Sequence, residues 1–131
     1  MRALFVTGRG GWDCLAFGRA NDPSIGAGDL LVQVHAAGVD LADLHALSGQ
    51  WGEAVTLEDP HILGSDVCGT VLRVGKNVTR FRVGDAVCAR LAVDRLGGFA
   101  ERCVAREHEA ATKPLSLTFE EAAGLPYAAL T

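Results

Sequence analysis

Histidine, aspartate and cysteine are the side chains whose types and spacing could do chemistry in this sequence. His45 follows Asp40 by five positions, and an imidazole titrates in the range that suits proton transfer. It reads equally as a partly exposed histidine on a helix. Asp40 stands immediately before an apolar-periodic stretch, where a carboxylate caps a helix and sits at the positive end of its dipole. Asp40 and Asp66 together offer two oxygen donors, and a catalytic zinc takes three protein ligands, so no metal site is read from them. The four cysteines, Cys14, Cys68, Cys88 and Cys103, contain no Cys-x-x-Cys pair. Three lie in apolar, strand-like runs and read as small buried hydrophobes in a reducing compartment. A metal cluster would need the fold to gather them. Trp51 lies in a predicted loop, where it either lines a cleft or covers the end of the domain. His35, His61 and His108 show no partner pattern.

These residues need elements to position them. Residues 2 to 7 read as a strand, Gly8, Gly10 and Gly11 as a turn, and residues 12 to 19 as a returning strand. From Leu30 to Ala36 the chain alternates, with Leu30, Val32, Val34 and Ala36 on one side and Leu31, Gln33 and His35 on the other. A helix is expected from Leu41 to Leu47 or Ser48, with Leu41, Leu44 and either Leu47 or Ser48 inward and Gly49 as its stop. Residues 49 to 59 read as a loop. Residues 60 to 87 read as a bend, a strand, a tight turn and a second strand, punctuated by Gly64, Gly69, Gly75 and Gly84. Phe99 to Val104 is a further expected strand, and Ala110 to Thr112 a short one. Thr118 and Glu121 have the spacing of a capping box for a short helix. The charged run from Arg102 to Glu109 reads as a solvated face. Many short strands with glycine turns and few helices predict a mainly β, barrel-like domain.

The chain has 131 residues, enough for one domain with a core. Hydrophobic residues make up 49% and charged residues 21%, an ordinary globular balance. A net charge of -4 with no basic stripe argues against nucleic-acid binding as the main task. No apolar run approaches membrane-spanning length, and the first strand is too short for a signal peptide, so the expected location is the cytoplasm.

The stretch containing Gly64, Gly69, Val71, Val74-Gly75, Val78 and Val83-Gly84-Asp85-Ala86-Val87 resembles the signature of the medium-chain dehydrogenase/reductase superfamily, in its amino-terminal GroES-like domain. Three further pieces fall in the same order: Ala37-Gly38-Val39-Asp40 through Ser48-Gly49, Gly97-Gly98-Phe99-Ala100-Glu101, and Leu115 through Ala123. The resemblance implies a partly open barrel of GroES type. Where the zinc branch carries a cysteine ligand this chain has Asp40, and where it carries a histidine ligand this chain has Ser65. The cysteine-rich lobe of that branch is reduced here to the connection from Cys88 to Leu96. The chain is therefore more similar to the zinc-free quinone oxidoreductase branch.

In that branch the position of Asp40 is typically an asparagine near the nicotinamide, and an aspartate adds charge and cannot donate as an amide does. His45 matches a tyrosine there, or a proton-relay histidine in the zinc branch. Trp51 matches an aromatic lining the substrate cleft, and Thr131 a threonine near the nicotinamide. The implied cofactor is NADPH and the implied substrate a small quinone or conjugated carbonyl. The implied partner is a doubly wound Rossmann domain, whose Gly-x-Gly-x-x-Gly turn is not found in these residues. The expected organisation is a GroES-like domain over residues 1–113, with 114–131 the truncated start of the connection to that domain. Isolated, the chain is expected to be inactive, and its apolar tail makes a homodimer one expectation. A stand-alone binding module and an enoyl-reductase piece of a larger synthase are the alternatives.

Overall fold

The structure is a computed structural model, and it describes residues 1–8, 10–50, 61–127 and 129. In chain order the elements are β1 (Arg2–Val6), β2 (Leu15–Arg19), β3 (Asp29–Gly38), α1 (Leu41–Ser48), β4 (His61–Ile62), β5 (Asp66–Val74), β6 (Ala86–Arg90), β7 (Arg102–Arg106), β8 (Ala110–Thr112) and α2 (Phe119–Ala123). A three-stranded sheet has the order β2-β1-β4, and a five-stranded sheet the order β7-β3-β5-β6-β8. Each pairing is antiparallel. The outer strands of the larger sheet, β7 and β8, are joined by one turn of 3-10 helix, Glu107–Glu109. The four residue steps from Arg106 to Ala110 span at most about 14 Å, so the two edges are drawn together and the sheet curls into a partly open barrel. The expected mainly β, GroES-like architecture is the one observed.

Leu30, Val32, Val67, Val71, Val87 and Ala105, each at most 1% exposed, fill the barrel. A second cluster, built on Val6, Leu47 and Leu63, sits between the small sheet and α1. A third lies outside the barrel, where Ala122 and Ala123 of α2 cover Cys68 and Cys88.

Several elements depart from the sequence expectation. Trp12–Cys14 is a 3-10 turn, so the returning strand starts only at Leu15. The alternation of β3 breaks because its register with β5 shifts between Leu31 and Val32 and between Val34 and Ala36, which buries Leu30, Leu31 and Val32 in succession. The strand expected from Phe99 to Val104 changes sheets. Phe99 accepts from Leu4 and Glu101 donates to Arg2, both in β1, while the Glu101 carbonyl accepts from Val34 of β3 and β7 itself runs only from Arg102 to Arg106. The charged run from Arg102 to Glu109 is structural rather than a purely solvated face. Arg106 pairs with Asp94 and Glu109, and Glu107 Oε1 accepts the backbone N–H groups of Thr79 and Arg80 at 2.7 and 2.5 Å.

Candidate functional site

α1 begins where expected. The Asp40 Oδ1 accepts from the N–H groups of Ala42 and Asp43 at 2.7 and 3.1 Å, and Asp43 Oδ2 returns the bond by accepting from the N–H of Asp40 at 3.1 Å. Gly49 ends the helix in the left-handed region, φ 75°. The inward face keeps Leu47 of the expected set and differs in the rest. Asp43, Ala46 and Leu47 are buried, whereas Leu41 is 68% exposed and Leu44 half-buried. The reason is polar. Asp43 Oδ1 also accepts from the N–H of Gly64 at 3.2 Å, at the bend before β5. Gly64 has φ +97°, and a Cβ there would lie 2.7 Å from the backbone nitrogen of Phe99. The bend that only glycine fits thus presents the donor that turns Asp43 inward.

Three aspartates gather at this point. Asp66 opens β5 and is 2% exposed, with its Oδ2 accepting from the N–H of Tyr127 at 2.7 Å. Ser65 Oγ lies 3.3 Å from Asp40 Oδ2 and 3.4 Å from Asp66 Oδ1. A hydroxyl carries one hydrogen, so Ser65 can donate to only one of them. The other contact is a hydrogen bond only when that carboxyl holds a proton. Burial raises the Asp66 pKa, and the charge of Asp40 adds to the rise, against the opposing Tyr127 N–H. A protonated Asp66 donating to Ser65, with Ser65 donating to Asp40, is the arrangement in which both hydroxyl contacts are hydrogen bonds. Burial likewise pushes the Asp43 carboxyl up to about 6, with the neighbouring Asp40 charge contributing.

Four carboxylate oxygens, Asp40 Oδ1, both of Asp43 and Asp66 Oδ2, are committed to backbone N–H groups, and the other two face Ser65. A resident zinc would have to compete with each of these donors, so the donor set does not fit one. Among the described residues no group of three or more His, Cys, Asp and Glu side chains is arranged to hold a metal. A dinucleotide pyrophosphate does not fit either. It needs free N–H groups at a helix start, and at α1 these already serve Asp40. The Gly10-Gly11 turn leads into 3-10 helix rather than α-helix.

His45 is exposed on α1. Two residues from Asp43 is about 200° of helix, so it lies on the opposite side from the buried carboxylate and the structure does not bring it into the aspartate cluster. Asp40 is in that cluster, half-buried, with Val39 and Leu41 on either side 71% and 68% exposed. Trp51 and Thr131 lie outside the described residues. Sequence reasoning missed Asp43 and the bridging place of Ser65. The acidic residue three positions after the Asp40 cap is the capping-box spacing, and that signal could have found Asp43.

The alcohol dehydrogenase GroES-like domain family matches residues 26–115. The chain is similar to the human mitochondrial NAD(P)H oxidoreductase RTN4IP1, 36% identical over 115 residues, which are 79% of this chain and 29% of that protein. It is similar also to the chloroplastic quinone-oxidoreductase QR1 of Triphysaria versicolor, 34% identical over 132 residues, covering 100% of this chain and 40% of that protein. Among solved structures, the quinone oxidoreductase from Coxiella burnetii superposes with a TM-score of 0.94 at 28% identity, over 100% of this chain and 42% of that one. The chain thus spans well under half the length of these relatives.

Proposed function

The chain belongs to the alcohol dehydrogenase GroES-like domain family, and we propose that it is the substrate-side domain of a zinc-independent, NADPH-dependent quinone or enone reductase. The observation that carries this reading is the commitment of the Asp40, Asp43 and Asp66 oxygens to backbone donors at the place where a metal-dependent relative would hold its ion. The names of the relatives, an NAD(P)H oxidoreductase and quinone oxidoreductases, support the reaction class.

NADPH would supply the hydride, and its pyrophosphate would be held outside the described residues. This chain's own part is to form one wall of the pocket and to manage protons. Val39 and Leu41 present apolar surface on either side of Asp40, suited to a flat quinone. Asp40 stands at the cofactor edge with its Oδ2 facing the Ser65 hydroxyl, and Asp66 lies buried behind it. His45, exposed on α1, is the proton donor to the reduced carbonyl. Trp51 and Thr131 are assigned to the substrate and the nicotinamide respectively. The stretch from residue 114 onward is the start of the connection to the cofactor domain.

The test is a chimera in which this chain replaces the matching region of the Triphysaria quinone-oxidoreductase. The chimera is expected to oxidise NADPH with benzoquinone, with no loss on adding a zinc chelator. His45→Ala should lower kcat at least about a hundredfold. A folded chimera that binds NADPH but turns over neither a quinone nor an enone overturns the reading.

A further inference from the structure

Cys68 and Cys88 sit directly opposite each other in the antiparallel pairing of β5 with β6. Directly opposed residues of such a pair have Cα atoms about 4.5 or 5.5 Å apart, and both values fall inside the range of roughly 4.4–6.8 Å that a disulfide accepts. Both side chains point to the outer face, under α2, and their Sγ atoms are 2.8 Å apart as free thiols. A disulfide needs about 2.05 Å, a movement small enough for side-chain rotation alone. The other two cysteines have no such partner among the described residues. Cys103 is buried in the barrel, and Cys14 packs beside the small sheet.

We propose that Cys68 and Cys88 form a modification site: a dithiol that a peroxide or a low-molecular-weight disulfide converts to a cross-strand bridge, with access controlled by α2. In the peroxide reaction the Cys88 sulfur, as thiolate, attacks one peroxide oxygen. An S–O bond forms, the O–O bond breaks, and the departing hydroxide takes up a proton to give water. The Cys68 sulfur then attacks the Cys88 sulfur, the S–S bond forms, the S–O bond breaks and a second water leaves. The two thiols lose two electrons and two protons, and the peroxide gains both. Cys88 is the first to react because it retains 8% of its surface and Cys68 none.

α2 sets the rate. Its Ala122 and Ala123 lie over the sulfurs, and burial raises the Cys68 pKa, so the docked pair is slow to react. The cover is slight. α2 has five residues, too few to hold a helix by itself. It is kept in place by the Thr118–Glu121 capping box, by packing, and by the Tyr127 N–H to Asp66 bond just beyond it. The ring of Tyr127 also lies 4.5 Å from the Arg90 guanidinium. Asp66 and Arg90 are the paired residues two positions along from the two cysteines, so the strands that would be bridged are the ones that hold the end of the cover.

The experiment uses the Cys14→Ser chain, so that Cys14 cannot link two molecules. The folded protein is treated with hydrogen peroxide or diamide, then denatured and alkylated. The expected result is one alkylated thiol, Cys103, and a non-reduced peptide joining Cys68 to Cys88 that dithiothreitol separates. Thr118→Ala, which removes the α2 cap, should speed bridging about fivefold. Three alkylated thiols, a bridge that includes Cys103, or sulfinic acid at Cys88 beside an untouched Cys68 would overturn the site. An unchanged rate in Thr118→Ala would overturn its control by α2. The peptide map needs no substitution at position 68 or 88, so neither strand is altered in reading out the bridge.

Discussion

Asp43 carries a carboxylate into the interior with a backbone N–H on each oxygen, from Gly64 and from Asp40. Its pKa stands near 6 against an ordinary 3.8, because burial outweighs the two donors. Between those pH values the folded chain binds a proton that the unfolded chain releases. The Asp43 contribution to stability is therefore fullest below pH 3.8 and declines as pH rises through about 6, after which it is level. Asp43→Asn has no charge to bury, but it turns an amide N–H₂ toward one of the two backbone donors and should cost about 1–3 kcal/mol in mildly acid solution. Urea midpoints from pH 4 to 7.5 are expected to show the gap between the two proteins narrowing as pH rises. A constant gap would mean that the carboxyl titrates normally.

β3 is the strand on which the other elements depend, since it pairs with both β5 and β7 and leads directly into α1. Its start is clasped. Asp29, 6% exposed, takes two bonds from Arg95 at 3.0 and 2.8 Å and one from the N–H of Gly26 at 2.8 Å. The guanidinium holds the Asp29 pKa below its usual value, and the same pairing raises that of Arg95. This clasp contributes above the unfolded pKa of 3.8 and is lost as pH falls through the lower folded value. Arg95→Ala leaves the buried carboxylate with one backbone donor and should cost about 1–3 kcal/mol at pH 7. The loss should shrink when unfolding is measured near pH 3. Arg95 lies 66 residues from Asp29, so no local pattern announces the pair.

At the scale of the molecule, the antiparallel pairing of β3 with β5, which sets Gly38 opposite Asp66, brings α1 and the Gly64 bend together at one end of the two strands. That end exposes Val39 and Leu41 on either side of the half-buried Asp40. Among the described residues it offers no cradle for a dinucleotide, because the N–H groups at the start of α1 already serve Asp40. The 131-residue protein by itself is therefore expected to show no NADPH oxidation with simple quinones in a spectrophotometric assay. Steady turnover by the pure chain would show that these residues hold the cofactor after all.

Much of the fold could be read along the chain. Asp40 and Gly49 mark the two ends of α1, Thr118 and Glu121 start α2, Ala110–Thr112 forms the short strand expected of it, and the glycine bends separate β5 from β6. These features rest on hydrogen bonds and backbone preferences that reach only three or four residues, and such signals survive in any tertiary setting. The site was legible only at Asp40. Which side of α1 faces inward depended on the Gly64 N–H, 21 residues away, and Ser65 meets Asp40 across 25. Cys68 finds Cys88 through strand register, and Phe99 and Glu101 meet Leu4 and Arg2 of β1 from the far part of the chain. Contacts of that reach are chosen by how the barrel closes, and spacing in the sequence does not carry them.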